Sequence, residues 1–256
     1  MIDTHCHLTD PRLGDQLDTV LSHAAAAGVH GMITISTGMQ DAQACIAVAR
    51  GRANVRCTVG VHPNEVAQND LDQLTLLRGL QSAEEVLALG EIGLDYHYGL
   101  EQRERQHRAF EMQLQIALDC GKPIVIHCRD AHEDCLAILR DFPSVRGVFH
   151  CFTGTAPQAQ EILDAGYWLG YTGPITFKKS DALREAVRLT PLDRLLVETD
   201  APYLTPEPMR KQKINEPALV VHVAAMAAKI KGIDLAELDA RTTQNVAQFF
   251  GWEPPR

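Results

Sequence analysis

The feature that most constrains the fold of this chain is a regular alternation between short apolar segments and longer amphipathic ones. Eight segments rich in β-branched or apolar residues predict strands at residues 1–5, 31–36, 55–61, 86–92, 123–127, 147–150, 167–171 and 195–199. Stretches rich in Ala and Leu separate them and predict helices at residues 16–27, 42–50, 71–81, 103–120, 133–140, 157–165 and 181–189. Because helices alternate with the strands, the sheet should be parallel.

The number of predicted strands favours a closed barrel. Eight strands over 256 residues agree with the length of about 250 residues typical of a (β/α)₈ TIM barrel, an α/β fold that we expect to form one domain over residues 1–256. A doubly wound open sheet is the alternative, but no Gly-x-Gly-x-x-Gly motif follows the first strand to support it. A proline-rich loop at residues 201–217 is expected over the barrel mouth. Helices at 218–230 and 235–250 should follow, with a turn or cap at 242–245.

Charge and cysteine content narrow the class of protein. The chain has 24 Lys and Arg against 33 Asp and Glu, a net charge of −9, so a polyanion would have to be bound by a local cationic site. Such a site can act alone, because charges more than about 8 Å apart are largely screened. Seven cysteines without a C-x-x-C pair argue against a disulfide framework or a thiolate zinc cluster. We expect a cytoplasmic, monomeric protein without a signal peptide or a membrane span.

Side chains that bind metals stand at most of the predicted strand ends. His5 and His7 are two residues apart in an extended segment, so their imidazoles leave the same face. Further metal-capable residues follow later strands: His62, Glu91, Asp95, His127, His150, Glu198 and Asp200. Five other histidines fall in or beside predicted helices and are interpreted as surface or packing residues: His23, His30, His107, His132 and His222. Since barrel enzymes carry their functional residues at the carboxyl ends of strands, this clustering predicts a metal site there.

Six motifs carry a resemblance to the TatD-family metal-dependent deoxyribonucleases, a branch of the amidohydrolase-type barrels. They are Asp-Thr-His-Cys-His-Leu at 3–8, Gly-Val-His-Pro at 60–63, Gly-Glu-Ile-Gly-Leu-Asp-Tyr at 90–96, Ile-His-Cys-Arg-Asp-Ala at 126–131, His-Cys-Phe-Thr-Gly at 150–154 and Glu-Thr-Asp-Ala-Pro-Tyr-Leu at 198–204. The resemblance implies two divalent ions, with Glu91 bridging both. It places His5, His7 and Asp200 on one ion, and His127 and His150 on the other. Spacing alone indicates only that these six residues could meet.

The chemistry of these ligands leaves the metal open. Imidazole and carboxylate suit zinc, manganese or iron, and carboxylate with water also accommodates magnesium. The expected reaction is attack of a metal-activated water on phosphorus, with Asp200 accepting the proton and Glu91 holding both ions. Two divalent ions together with the carboxylates of Glu91 and Asp200 would give the site a net charge of roughly +2. Without metal, the net charge of the site would be negative, and the site would repel a phosphodiester.

Further residues are predicted to bind substrate or to orient the ligands. Arg129, His62, Lys178 and Arg210 are candidates for contact with a substrate phosphate, although packing or solvated loop positions explain each of them as well. Asp95 and Glu198 are predicted to orient ligand histidines. Strand alternation predicts that Cys6, Cys128 and Cys151 point away from the neighbouring histidines and pack.

The sequence departs from the TatD pattern near residue 210. Relatives usually carry Arg-Gly-Lys-x-Asn-x-Pro, whereas this chain reads Arg-Lys-Gln-Lys-Ile-Asn-Glu-Pro at 210–217. The missing glycine would have tolerated a positive φ. Its absence leaves the conformation of this loop, and the contact of Arg210 with substrate, open.

Three functions are compatible with these residues. The first is a 3′-to-5′ exonuclease acting on single-stranded or frayed DNA, with RNA as a further substrate, in repair or turnover. A strand end can enter a narrow barrel mouth, which suits an acidic surface better than gripping a duplex does. The second is a metal-dependent deacylase or amidase on the same barrel, such as a D-aminoacyl-tRNA deacylase. The third is a metal-bound scaffold without turnover. It is the weakest of the three, because it does not explain why Glu91 is paired with Asp200.

Overall fold

Eight parallel strands form a nearly closed barrel in the computed structural model, which describes residues 1–68 and 71–255. In chain order they are β1 (Ile2–Cys6), β2 (Gly31–Thr34), β3 (Val55–Val59), β4 (Val86–Asp95), β5 (Ile124–Arg129), β6 (Gly147–Phe149), β7 (Trp168–Tyr171) and β8 (Leu195–Val197). Each strand pairs in parallel with the next one along the chain. The predicted (β/α)₈ barrel is therefore confirmed, and the open-sheet alternative is wrong. The prediction of one domain also covers Asn69, Asp70 and Arg256, which lie outside the described residues.

The helices of the described ranges fall between and after the strands, close to their predicted positions. They are α1 (Pro11–Gly14), α2 (Leu17–Ala26), α3 (Met39–Ala49), α4 (Leu77–Leu80), α5 (Arg103–Cys120), α6 (His132–Arg140), α7 (Ala156–Asp164), α8 (Asp181–Leu189), α9 (Val220–Lys231) and α10 (Leu235–Phe250). The helix predicted at 71–81 is instead a 3₁₀ segment, Leu71–Leu76, followed by α4. Within residues 1–68 and 71–255, no helix has both the length and the apolar content needed to cross a bilayer.

The predicted turn at 242–245 is wrong, because α10 runs unbroken through it. The Thr242 hydroxyl donates to the Leu238 carbonyl one turn earlier, at 3.0 Å. The Asn245 amide is buried and donates to the carbonyls of Leu192 and Leu195. Polar side chains that indicated a cap therefore satisfy carbonyls of the helix itself and of the start of β8, and the helix continues.

The barrel interior and the helical layer form two apolar clusters. One cluster combines residues of seven strands, among them Ile33, Val125 and Leu196, with Phe249 and Trp252 from the end of α10 and the residues after it. The other packs the opposite strand faces against the surrounding helices. Since α10 closes one end of the barrel with large apolar side chains, the polar residues that follow the strands gather at the other end.

The barrel closes between β1 and the residues after β8. The Asp200 amide donates to the His5 carbonyl at 2.8 Å, and the His7 amide donates to the Ala201 carbonyl at 2.7 Å. The buried Asp3 carboxylate reinforces this seam by accepting from both the amide and the hydroxyl of Thr199. Burial raises the pKa of Asp3 to about 8, against the lowering effect of these hydrogen bonds. The closing seam thus fixes the backbone of three predicted metal ligands.

Candidate metal centre

His5, His7 and Asp200 meet at the β1–β8 seam. The Nε2 atoms of His5 and His7 lie 3.6 and 3.3 Å from Asp200 Oδ1. Nδ1 of His7 lies 3.0 Å from the Ile35 carbonyl, which fixes the ring. Asp200 has a φ of 58°, a left-handed conformation that aspartate tolerates better than most residues. These contacts place three potential ligand atoms around one point.

Glu91 reaches the centre from an irregular part of β4. The pairing of β4 with β5 shifts register between Leu89 and Ile92, and the Glu91 amide donates to the Ser36 carbonyl across the barrel. A Cβ on the neighbouring Gly90 would lie 2.7 Å from Val125 Cβ, too close for any other residue to replace it without a shift. Close backbone packing at this glycine therefore holds Glu91, which is only 2% exposed, pointing into the barrel mouth.

The two oxygens of Glu91 face different groups of histidines. Oε2 lies 3.5 Å from Nε2 of His5. Oε1 lies 2.7 Å from Nδ1 of His127 and 2.5 Å from Nε2 of His150. The imidazoles of His5 and His150 stack with ring centroids 3.9 Å apart. One carboxylate therefore joins the β1–β8 group to the histidines that follow β5 and β6.

Two more carboxylates, Asp95 and Glu198, contact the candidate ligand histidines from behind. Asp95 Oδ2 lies 3.0 Å from Nε2 of His127, the ring nitrogen opposite the one that faces Glu91. The side-chain amide of Asn64 donates to the same oxygen at 3.1 Å. Glu198 Oε1 lies 3.7 Å from Nδ1 of His150 and accepts from the amide of Cys151. Both carboxylates are nearly fully buried, so they can fix the orientation of the rings.

The charges in this cluster shift the pKa of several members. Burial alone would raise the pKa of Glu91, but His150, His62 and His127 lower it well below its usual range. Burial would lower the pKa of His127, yet hydrogen bonds to Asp95 and Glu91 raise it to about 9. Burial would raise the pKa of Asp95, but the hydrogen bond and charge of His127, together with hydrogen bonds from His97 and Asn64, bring it to about 2. The metal-free cluster is thus a set of carboxylates balanced by imidazolium groups.

His62 behaves differently from the other histidines of the centre. It follows β3, and its Nε2 lies 3.7 Å from Glu91 Oε1, while its ring meets the His127 ring edge-on at 4.2 Å. Nδ1 of His62 accepts a hydrogen bond from the backbone amide of Asn64 at 3.0 Å. Burial and the neighbouring His127 lower the pKa of His62 to about 3. A neutral imidazole at this position can act as a hydrogen-bond or metal partner rather than as a cation.

The residues present fit divalent metal. Nδ1 and Nε2 of His5 and Nδ1 of His150 are buried and make no hydrogen bond to the part of the chain that the structure describes. Four groups hold potential ligand atoms within 4.8 Å of one another: His5, His7 and Asp200; Glu91, His127 and His150; His5, His150 and Glu198; and His62, Asp95 and His127. Buried nitrogens without partners are costly unless an ion takes their lone pairs. The first two groups contain the same residues as the two predicted ligand sets, and their binding of ions stays a prediction.

The three cysteines beside ligand histidines occupy different environments. Cys6 is fully buried, and its thiol donates to the Ile33 carbonyl at 3.5 Å, as strand alternation predicts. Cys128 and Cys151 instead border the cavity above the histidines. The alternation argument fails for Cys151 because β6 ends at Phe149 and Cys151 has a φ of 44°. None of the potential ligand groups in residues 1–68 and 71–255 includes a cysteine.

A cavity of about 610 Å³ opens from this centre to the surface and is called the central cavity below. His7, His62, His127, His150 and Asp200 line its floor, and Arg129, Tyr98, Tyr203 and Leu204 border its mouth. The Arg129 guanidinium lies 5.7 Å from the Tyr98 ring centroid. Arg129, one of the residues predicted to contact a substrate phosphate, is therefore at the mouth. Lys178 and Arg210 are exposed and do not line the cavity, and the Arg210 guanidinium lies 3.4 Å above the Phe177 ring. Contact of these two with a phosphate remains a prediction.

Several residues of the site were not assigned a role from the sequence. Asn64 links His62 to Asp95, and Asn215 donates from a buried amide to the carbonyls of Thr199 and Tyr203. Asn215 therefore holds the loop after β8 although the loop lacks the glycine of the usual pattern. Both asparagines stand near quoted motifs, but a motif does not reveal which carbonyl a side chain reaches.

Known proteins are similar to this chain over nearly its whole length. The family described as TatD related DNase matches residues 2–251. The uncharacterized metal-dependent hydrolase YcfH of Escherichia coli K12 is 41% identical over 255 residues, covering 98% of this chain and 95% of that protein. The 3'-5' ssDNA/RNA exonuclease TatD of Enterobacter lignolyticus is 38% identical over 257 residues, covering 98% and 99%. The crystal structure of YJJV, a TatD homolog from Escherichia coli K12, superposes with a TM-score of 0.92 at 28% identity and 98% coverage of both chains.

Proposed function

Because the chain belongs to the TatD-related deoxyribonuclease family of metal-dependent hydrolases, we propose that it is a 3′-to-5′ exonuclease that removes nucleotides from unpaired ends of DNA and RNA. The direction and the substrate follow the name of a relative, the 3'-5' ssDNA/RNA exonuclease TatD of Enterobacter lignolyticus. The bond cleaved is a phosphodiester, and the reaction consumes one water for each nucleotide released. Two divalent ions are part of this proposal.

The observation that carries the proposal is the position of Glu91. Its Oε2 faces His5 and its Oε1 faces His127 and His150, so the carboxylate lies between two groups of potential ligands. A carboxylate that spans two such groups is the arrangement expected for a two-metal hydrolase. Bound divalent ions would supply an activated water and positive charge for the phosphate oxygens.

The side chains of the centre have distinct tasks in this reaction. Oδ1 of Asp200 faces His5 and His7, so its other oxygen, Oδ2, is the one that accepts the proton of the attacking water. Asp95 holds the His127 ring through Nε2 and leaves Nδ1 turned toward Glu91. Arg129 at the mouth orients a phosphate oxygen by donating from its guanidinium.

The lining of the central cavity favours a phosphodiester over an acyl substrate. Histidines and carboxylates line its floor, and the exposed Tyr98, Tyr203 and Leu204 line its mouth. An ester or amide substrate would need an apolar wall beside the reacting carbonyl. A nucleotide instead places a charged group at the floor and a flat base at the mouth, which matches this distribution.

The proposal is tested with single-stranded DNA and RNA oligonucleotides labelled at either end. Purified protein is incubated with each substrate in the presence of magnesium, manganese or a chelator. With a 5′ label we expect a ladder of products that shorten progressively. With a 3′ label we expect immediate release of a labelled mononucleotide, and we expect the chelator to abolish both.

Two variants and one further substrate complete this experiment. Asp200→Asn, purified identically, should be inactive, which excludes a contaminating nuclease. His23→Asn is the matched control, because His23 lies on α2 and pairs with Glu216 at the surface. Inertness toward both nucleic acids, together with metal-dependent cleavage of an ester or a D-aminoacyl-tRNA, would replace the proposal with the deacylase alternative.

A further inference from the structure

Three exposed apolar side chains line the mouth of the central cavity. Among the described residues, ten large hydrophobic side chains are at least 36% exposed, and three of these ten, Tyr98, Tyr203 and Leu204, line the central cavity. Exposed apolar groups that gather at one site, rather than lying scattered, indicate a binding surface.

Tyr203 stands beside the metal centre on a fixed backbone. Its ring meets the His7 ring edge-on with centroids 6.1 Å apart, and its side chain lies 48% exposed at the cavity mouth. The backbone amide of Tyr203 donates to the Asp200 carbonyl at 2.9 Å, and the side-chain amide of Asn215 donates to the Tyr203 carbonyl. The Arg12 guanidinium lies 4.5 Å from the ring centroid and is held there by Asp10. The ring is therefore pre-positioned relative to a predicted metal ligand.

Tyr98 provides a second aromatic surface at the same mouth. It lies three residues after Asp95, and 74% of it is exposed, the largest fraction among the exposed hydrophobic residues. The His97 ring meets it edge-on at 5.0 Å, and the Arg129 guanidinium lies 5.7 Å from its centroid. Tyr98 and Tyr203 both border the central cavity, so a ligand whose phosphate reaches the floor passes both rings.

We propose that Tyr98 and Tyr203 are stacking surfaces for the two nucleobases that flank the scissile phosphate, one base on each ring. This inference rests on the proposed nuclease function and adds the recognition of bases to it. Every base presents a flat π face, so stacking on tyrosine binds single strands without selecting a sequence. A guanidinium lies over one face of each ring, Arg129 over Tyr98 and Arg12 over Tyr203, so a base would stack on the opposite face. A base-paired end would keep its bases from the rings, which gives unpaired ends the advantage.

The test is a set of double-mutant cycles between a tyrosine and a base. Tyr98→Leu and Tyr203→Leu remove the aromatic face, and Tyr98→Phe and Tyr203→Phe keep it as matched controls. Each protein is assayed on an intact oligonucleotide and on two oligonucleotides with an abasic unit at the last or the penultimate position. We expect each Leu variant to raise KM about tenfold on the intact strand, with kcat changed less than about twofold. That penalty should vanish on one of the two abasic strands, and the Phe variants should match the wild type.

A spectroscopic measurement reports stacking separately from cleavage. An oligonucleotide with 2-aminopurine at its last or penultimate position is mixed rapidly with the metal-supplemented enzyme. We expect the fluorescence to drop before nucleotide is released, and we expect the drop to be lost in the Leu variant paired with that position. A KM penalty of equal size on intact and abasic strands, or an unchanged drop in both Leu variants, would overturn the stacking proposal. Cleavage of the intact strand by the wild type keeps that failure distinct from failure of the nuclease assignment.

Discussion

The floor and the mouth of the central cavity are built in opposite ways. At the floor, Glu91 and His150 are each at most 7% exposed, and their carboxylate and ring atoms face several partners at once. At the mouth, Tyr98 is 74% exposed, and its ring contacts His97 edge-on and lies under the Arg129 guanidinium. A buried polar cluster tolerates little change because any unpaired group is costly. We infer that the floor determines the chemistry and that the mouth determines which strands reach it.

The largest effect that this comparison predicts is at Asp200. Asp200→Asn keeps the size of the side chain and a hydrogen-bonding oxygen, but the amide cannot accept the water's proton. We expect kcat to fall by about 10³-fold or more, with the thermal unfolding temperature nearly unchanged. Rates of nucleotide release and circular dichroism melting check both parts. Turnover near the wild-type rate would remove Asp200 from its proposed role.

A smaller but still large effect is predicted one layer behind the floor. Asp95→Asn weakens the contact that fixes the His127 ring, so we expect metal affinity to fall about 10- to 100-fold. Calorimetric titration of manganese into chelator-treated protein measures this change. The matched control is Asp134→Asn, because Asp134 also contacts a histidine, His107 at 3.3 Å, outside the metal centre. Equal losses of affinity in both variants would contradict a specific role of Asp95.

Arg129 and Arg210 test how far the substrate-binding surface extends beyond the cavity mouth. Arg129 borders the central cavity, whereas Arg210 lies against Phe177 and does not line it. We expect Arg129→Ala to raise KM for an oligonucleotide about tenfold and Arg210→Ala to raise it less than about twofold at physiological salt. The salt dependence of KM provides a second readout, since loss of a phosphate contact reduces its slope. A larger effect at Arg210 would extend the substrate surface to the loop after β8.

The smallest predicted effect concerns the metal-free floor. The pKa of His127 is about 9 in the folded protein, above the value of about 6.5 for an unperturbed histidine. Protonated His127 therefore stabilises the fold fully below about pH 6.5, and this stabilisation is lost as the pH rises through 9. We expect chelator-treated protein to melt at a lower temperature at pH 9 than at pH 6.5, and Asp95→Asn to reduce the difference. Metal-loaded protein should not show this decline, because metal binding requires deprotonated imidazole and strengthens as the pH rises.

The strand ends illustrate how far sequence reasoning reaches. His5, His7, Glu91, His127, His150 and Asp200 were expected to meet because they follow strands of one barrel, and the structure brings them together. The barrel itself followed from the alternation of strands and helices, which depends on local hydrophobic pattern. The turn predicted in α10 was wrong because Asn245 donates to the carbonyls of Leu192 and Leu195, 53 and 50 residues earlier, which a local pattern does not report.

The sequence by itself determined the order of the strands, the class of the fold and which metal-capable residues follow the strands, because these depend on periodicity and on residues that stand at fixed points of a repeating unit. Only the tertiary structure decided which oxygen of Glu91 faces which histidine, that Asp3 binds Thr199 across the closing seam, and that Tyr98 and Tyr203 border one mouth. These are contacts between side chains far apart along the chain. Their geometry depends on how the barrel closes, and a one-dimensional pattern does not contain that information.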